Sequence, residues 1–491
     1  MRGGRDMTRA GPREPRGGAR KSGRPDTGHA ASRQLKSKRA PSPEAASSPK
    51  RASHPASLPP AEIAASIDLL AAIESTGRPA DAVVAAFLRS RPDLPAPLRG
   101  RMLARVDAVL RQRAALDWWI AASRLGLDPD ARLRILAQLL LAERRAPETV
   151  AALFAGARGL LTPLGGREEA LVAALAGKPL APPEMPLFAR AGFPAWVEPL
   201  LGAAFGERLE IEMVALAQAA PLDLRVNRLK ASREEALAAL TAEGLRAQPT
   251  PYSPLGLRLE RRVDLGRCQA LMTGLVEPQD EGSQIAALLV DAKPGQYVID
   301  YCAGAGGKTL ALAAAMANHG RLVAADVVFG RLQRARARLK RAGAFNVERR
   351  DATIRKWFKR QAGRVDRVLV DAPCTGIGSW RRVADARWRL RPEDLPELVA
   401  RQRAILDEAA PLVALSGRLV YVTCSVLPAE NEAQVEAFLA RHPGFALLPV
   451  AEVWAETVGG ACLASGPMLQ LTPARHGTGG FFVAILERRR A

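Results

Sequence analysis

Aromatic residues are scarce in this chain, at 5% of 491 positions, and cysteine is scarcer still, with five residues. The cysteines stand at 268, 302, 374, 424 and 462; none forms a Cys-x-x-Cys pair, and no His/Cys cluster has zinc-finger spacing. That pattern speaks against a disulfide framework and against a structural zinc site, and leaves free thiols in a reducing compartment. Long apolar runs are missing too: stretches such as Leu310–Ala317 fall far below the ~18 residues that a membrane span needs. The opening MRGGRDMTRAGPREPRGGARKSGR is basic with no apolar core behind it, so no secretory signal, no membrane partner and a cytoplasmic location are expected. Acidic residues are outnumbered as well, with Asp+Glu 50 against Lys+Arg 71, a net charge of +21.

What is present is an ordinary globular mix, 48% hydrophobic and 25% charged, in a chain long enough for two to four domains. Residues 1–60 hold 14 basic and 4 acidic residues and almost no large apolar ones. Such a segment cannot bury enough surface to offset chain entropy, so a disordered basic tail is expected there. The basic excess suits a polyanionic partner, because cationic side chains neutralise phosphates and release counterions. An arginine-rich composition chosen for solubility would look similar.

From Ala61 the pattern turns helical. Ile63, Ile67, Leu70 and Ile73 recur at helical spacing, and similar stretches follow at Val83–Leu88, Met102–Leu110 and Leu133–Leu141, separated by Gly and Pro. A helical domain is expected over 61–160, with proline-broken helices continuing to about 200. Leu222–Leu229 and Leu255–Leu259 read as strands flanking a helix opened by the capping box Ser232-Arg233-Glu234-Glu235. They define a small α+β unit over 185–275. From 276 onward strands alternate with helices: Tyr297–Asp300, Leu322–Ala325, Val365–Val370 and Leu419–Thr423 are strands, helices lie at 330–342, 393–414 and 429–440, and Phe481–Leu486 is a late strand. The expectation is an α/β fold whose C-terminal part is a parallel sheet with helices on both faces.

Three motifs carry chemistry. In Asp300-Tyr301-Cys302-Ala303-Gly304-Ala305-Gly306-Gly307-Lys308-Thr309 a strand enters a glycine loop and then a helix, which lets backbone N–H groups approach a ligand. Asp326 ends the next strand, the place of a ribose acceptor in nucleoside-binding sheets. A triphosphate loop is the rival, but its first glycine would fall at Cys302. The second motif, Asp371-Ala372-Pro373-Cys374, and the third, Thr423-Cys424-Ser425, each follow a β-branched strand. Two thiols at the carboxyl edge of one sheet point to nucleophilic chemistry, whereas a lone cysteine is more often a small core residue. Cys268 and Cys462 lack that context, and Cys302 contributes only backbone to the glycine loop.

The combination of CAGAGGKT, DAPCTGIG and VTCSVLPAENEAQV resembles the RNA cytosine-5 methyltransferases of the Sun/Fmu type, which modify ribosomal RNA in bacteria. The resemblance covers roughly residues 190–491 and includes Pro221-Leu222-Asp223-Leu224-Arg225-Val226-Asn227 and Gln279–Gln284. It implies a Rossmann-like class I methyltransferase sheet, an RNA-recognition-motif-like small unit, an RNA-binding helical domain and S-adenosylmethionine as methyl donor, with no metal. It implies Cys424 as nucleophile, Cys374 as an aid to product release, and Asp371 and Lys308 beside them. The donor would lie against Cys302, Ala303, Gly304, Ala305, Gly306, Gly307, Lys308, Asp326, Asp351 and Asp371; a strand-end cap is the alternative for Asp351. The partner would be RNA, ribosomal or else transfer RNA, and the enzyme a monomer. Arg381, Arg382, Arg387, Arg389 and Arg391 are candidates for gripping the RNA. Three positions depart from the family: Ala305 for proline in the glycine loop, Val383-Ala384 in an R-R-N-P-D segment, and Gly479 for aspartate in T-D-G-F-F. A DNA cytosine methyltransferase would use the Pro-Cys thiol and would not need Thr-Cys-Ser. A noncatalytic RNA-binding protein would not need both thiols, Asp371 and Lys308.

Overall fold

A computed structural model of the chain describes residues 58–155 and 159–490. The basic tail expected over residues 1–60 lies outside the described residues except for its last three.

The first part is helical. Pro60–Ser75 opens on a proline, which suits the first helical turn because its missing N–H has no partner there. It packs with Ala80–Ser90, Ala96–Ala122, Ala131–Leu141, Pro147–Ala155 and Gly166–Leu175 around Ile63, Leu70, Met102, Leu136 and Leu171. The helices from Leu187 to Ala217 form a separate core around Phe193, Leu201 and Met213, which also takes in Ile377, Trp380, Val426 and Leu427. Those last four residues flank the two cysteine motifs, so the loops that carry the cysteines are packed by an element far away in sequence.

The small α+β unit is an antiparallel sheet of β1 (Leu222–Val226), β2 (Ala247–Pro249), β3 (Gly256–Leu259) and β4 (Val276–Pro278), in the order β2-β3-β1-β4. Its Arg233–Ala242 helix starts at the expected capping box: Ser232 Oγ accepts from the Glu235 N–H, and the Ser232 N–H donates to Glu235. β1 stops at Val226, short of the expected Leu229. The Asn227 side chain there turns to donate to the carbonyls of Gly274 and Ala342, which locks the unit to the following domain.

The C-terminal sheet has eight strands: β5 (Tyr297–Asp300), β6 (Arg321–Asp326), β7 (Val347–Asp351), β8 (Val365–Asp371), β9 (Val413–Thr423), β10 (Phe445–Leu448), β11 (Leu469–Leu471) and β12 (Phe481–Arg488). The main order is β10-β12-β9-β8-β5-β6-β7, with β11 against β12. β5 to β9 are parallel; β10, β11 and β12 are antiparallel additions at one side, which the wholly parallel expectation lacked. Alternate residues face opposite sides, as strand geometry requires: Val298, Leu369 and Val420 join one core, and Ile299, Val368 and Tyr421 the other. The helix expected over 393–414 ends at Ala409, and Val413 already belongs to β9. Pro411, lacking an N–H, cannot continue the helical ladder, and the apolar residues after it are taken up by the sheet. Among the described residues no helix is long and apolar enough to cross a membrane.

Candidate active site

The carboxyl ends of β5, β6, β8 and β9 meet at one edge of the sheet. β5 ends at Asp300, and the loop after it is tied across the sheet: the Tyr301 N–H donates to Leu369 and the Ala303 N–H to Ala325, both at 2.8 Å. Gly306 has φ +80°, and a Cβ there would lie 3.1 Å from that of Ala335, so glycine alone fits. The helix Gly307–Ala315 follows, and Lys308 on its first turn points back into the edge, where its Nζ donates to Asp371 Oδ2 at 2.7 Å. Burial works against the Lys308 ammonium, but Asp371 and its hydrogen bond outweigh it and hold the group above the ordinary lysine value. The Phe481 ring lies 5.5 Å from the same ammonium.

Cys374 follows β8 and Cys424 follows β9, and their Sγ atoms are 3.4 Å apart. The two thiols share a hydrogen bond in which either can donate. With Cys374 as donor the Cys424 pKa falls, against burial, Asp371 and Glu430 and with the help of Lys308, and Cys374 rises well above the ordinary thiol value because Cys424 and burial both disfavour its charge. Of the two, only Cys424 lines the cavity that holds Lys308, a difference that strand position alone does not show. Burial and the carboxylates of Asp300, Asp371 and Asp326 push the Cys302 thiol far up, leaving it inert.

Behind both thiols sits Glu430, fully buried, a residue with no role in the sequence reading beyond its place in the third motif. Its Oε1 accepts from the Thr375 N–H at 2.8 Å and from Gln402 at 2.9 Å; its Oε2 accepts from Thr375 Oγ1 at 2.6 Å and from the Ser425 hydroxyl. The residues just after the two cysteines thus hang on one carboxylate. No local pattern announces it: the signal would have been an acid placed among apolar residues with hydroxyls on both neighbouring loops. Gly378 completes the joint. Its N–H donates to the Cys424 carbonyl at 2.9 Å, and a Cβ on it would stand 2.3 Å from the Gly480 carbonyl oxygen.

Two cavities open on this edge and share Cys302, Gly304 and Asp371 as their wall. One, about 410 Å³, holds Lys308, Cys424, Arg381, Arg382 and Phe481. The other, about 440 Å³, holds Asp326, Val327, Val328, Ala352, Pro373 and Ile405. Asp326 Oδ2 accepts from the Gly304 N–H at 2.9 Å and Oδ1 from the Val328 N–H at 2.7 Å, so this carboxylate shapes its cavity as well as lining it. Asp351 ends β7 but lines neither cavity. Its Oδ1 accepts from the Thr353 N–H and hydroxyl at 2.9 and 2.6 Å, the geometry of a strand-end cap.

The expectation that the arginines after Cys374 grip RNA needs correction. Arg387 is 0% exposed and donates to the carbonyls of Gly192, Trp380 and Leu216, so it cannot reach an RNA. Arg389 pairs with Asp385 at 2.9 Å, and Arg381 donates to the carbonyls of Gly477 and Thr478. The segment ties domains together: Asp385 accepts from the Ala80 N–H at 3.0 Å, Ala384 joins the helical core, and the Trp388 indole N–H donates to the Leu110 carbonyl at 2.6 Å. Arg382 and Arg391 are exposed, although Arg382 reaches Asp280. Gly479, where the resembled family has aspartate, has its N–H on Asp280 at 3.0 Å, and a side chain there would meet that carboxylate at 3.2 Å. Asp280 supplies the negative charge of this corner.

The family described as 16S rRNA methyltransferase RsmB/F matches residues 287–487, and its ferredoxin-like domain matches 193–266. A probable ribosomal RNA small subunit methyltransferase B from Synechocystis is 33% identical over 299 residues, 60% of this chain and 67% of the relative. The chain belongs to the RsmB/F methyltransferase family. A second member, the ribosomal RNA small subunit methyltransferase B of Pseudomonas putida, is 36% identical over 52% of this chain but only 58% of its own length. The RsmB/F match thus spans about three-fifths to two-thirds of these relatives. Among solved structures, the protein PH0851 superposes with a TM-score of 0.72 at 27% identity, covering 88% of this chain and 99% of that one. The helical domain and the small sheet therefore share an architecture with it, as well as the Rossmann-like methyltransferase sheet.

Proposed function

We propose that the protein transfers a methyl group from S-adenosylmethionine to C5 of a cytosine in RNA, with ribosomal RNA as the substrate. The observation that carries this reading is the 3.4 Å thiol pair with Cys424 as the lower-pKa member beside Lys308 and Asp371. C5 of cytosine is a poor nucleophile, and a thiolate adding to C6 moves the ring's electron pair to C5. Cys424 is placed to be that thiolate. Asp371, held by Lys308, accepts from the amino edge of the base and fixes its orientation. The donor, when bound, supplies an electrophilic methyl to C5. A solvent water takes the C5 proton, the electron pair of that C–H bond restores the C5–C6 double bond, the C6–S bond breaks, and Cys424 leaves as thiolate. Cys374, still protonated against it, steadies that departing charge.

The donor cavity suits such a molecule on its own chemistry. Asp326 offers carboxylate oxygens where ribose hydroxyls would donate, Val327, Val328 and Ile405 give apolar walls for a flat base, and Cys302 and Gly304 in the shared wall present backbone to the amino-acid end. The cytosine must leave its stack to reach Cys424, because the thiolate attacks from above the ring plane. The test is bisulfite mapping of RNA from cells with and without the protein, together with methyl transfer from labelled donor by the purified chain. A small-subunit ribosomal cytosine that loses its protection in the deletion strain is expected. No change at any cytosine, with no transfer in vitro, would sink the reading.

A further inference from the structure

The loop expected to hold RNA spends most of its arginines on protein, so the polyanion needs another surface. The helix Phe329–Ala342 carries Arg331, Arg334, Arg336, Arg338, Lys340 and Arg341 and no acidic residue. Leu332, Ala335, Leu339 and Ala342 anchor one side of it in the core. Arg338 and Arg341 pair with Glu277 at 2.7 and 2.8 Å. Arg331, Arg334, Arg336 and Lys340 are exposed and make no ion pair among the described residues. Like charges three and four positions apart weaken a helix, so the unpaired Arg331 and Arg334 add nothing to its stability.

Its position gives the run a use. Arg331, Arg334 and Arg338 follow i, i+3, i+7 spacing and so share one edge of the helix, covering ~10 Å along its axis. Arg331 lines the cavity of Asp326, and Arg338 lines the cavity of Cys424, where it also donates to the Ala305 carbonyl at 2.7 Å. The cationic edge therefore passes both cavity mouths, with Arg334 between them. We propose that this helix edge carries the phosphate backbone of the substrate RNA beside the target cavity, with Arg334, between the two mouths, as its phosphate contact. The proposal rests on the RNA methyltransferase reading and adds the surface that holds the strand. Counterion release from phosphates held by exposed cations supplies affinity without reading sequence.

The experiment uses the full chain with R334E and its neutral counterpart R334Q. Arg331 is left intact because it lines the donor cavity. R336E, exposed on the opposite flank of the same helix, is the charge-matched control. Binding to a labelled, cytosine-rich single-stranded RNA oligonucleotide is measured across a salt series, and S-adenosylmethionine binding by calorimetry. The reversal variant should lose RNA affinity about three-fold or more at low salt, and the neutral variant less. The slope of log affinity against log salt should flatten by about 0.7 for one cation. Donor affinity should stay unchanged and the control should bind as wild type does. RNA affinity unchanged in both Arg334 variants, or reduced equally in R336E, would overturn the surface and leave the methyltransferase reading standing. A wild-type chain that binds no RNA at any salt would overturn both.

Discussion

The sulfur atoms of Cys374 and Cys424 lie 3.4 Å apart, and a hydrogen bond from Cys374 lowers the pKa of Cys424 while raising its own. In the proposed reaction Cys424 attacks as the thiolate and Cys374 stays neutral until charge returns. Cys424→Ala should abolish both methyl transfer and any covalent RNA adduct. Cys374→Ala should still allow attack at C6 but slow elimination, so a denaturant-resistant enzyme–RNA complex should accumulate. A denaturing gel with labelled RNA and donor reads both. An adduct that persists in Cys424→Ala and vanishes in Cys374→Ala would reverse the roles.

Glu430 ties together the two loops that carry that pair. Its two oxygens take four donors from Thr375, Gln402 and Ser425, and a glutamine in its place would turn its amide N–H₂ towards the two hydroxyls, which must then accept instead of donate. A buried hydroxyl proton left without an acceptor costs about 1–3 kcal/mol. Glu430→Gln should therefore loosen both loops, slow turnover by about ten-fold or more at saturating RNA, and change the pH dependence of Cys424 alkylation by iodoacetamide. Donor affinity should hold. A variant with normal turnover and an unchanged alkylation profile would show that the carboxylate only fills space.

Asp326 joins structure and ligand in one carboxylate. Because both oxygens already accept backbone N–H groups, Asp326→Asn must set an amide N–H₂ against either Gly304 or Val328. Donor affinity should fall by about ten-fold or more, with RNA affinity retained, since the cavity of Cys424 lies on the other side of the shared wall. Calorimetry with S-adenosylmethionine decides; unaltered binding in both Asp326→Asn and Asp326→Ala would remove the ribose assignment.

Much of this edge was legible before the fold was known. Strand, turn and helix patterns around Asp300, Asp326 and Asp371 are local, and a parallel sheet brings the carboxyl ends of its strands to one side, so these residues had to meet near the two thiols. What periodicity cannot carry is burial decided by a distant segment. Arg387 looks like a solvated arginine, and only the helices of 187–217 packing over it make it a buried structural cation. Asp280 receives the Gly479 N–H from a position 199 residues earlier, a pairing that no local pattern announces. Val413 to Leu415 read equally well as helix or strand, and Pro411 with the neighbouring β8 decided for the sheet.

Asp300 offers a test of the site's electrostatics that does not depend on activity. It ends β5 fully buried, its Oδ2 accepts from Thr309 Oγ1 at 2.6 Å, and its Oδ1 has no partner. Burial, with Asp371 and Asp326 nearby, pushes its pKa up to about 7 despite Thr309 and Lys308. Below about pH 4 the carboxyl is protonated in folded and unfolded chains alike and costs nothing. As pH rises towards 7 the unfolded chain ionises while the folded one keeps its proton, so stability falls through that window. Above it both are ionised and the penalty levels off, on the order of 4 kcal/mol. Asp300→Asn has no such transition. Relative to wild type it should therefore gain stability progressively between about pH 4 and pH 7, and the gap should stay constant at higher pH. Urea midpoints of both proteins across that range measure it; curves that run parallel throughout would mean that Asp300 is solvated or paired in the folded chain.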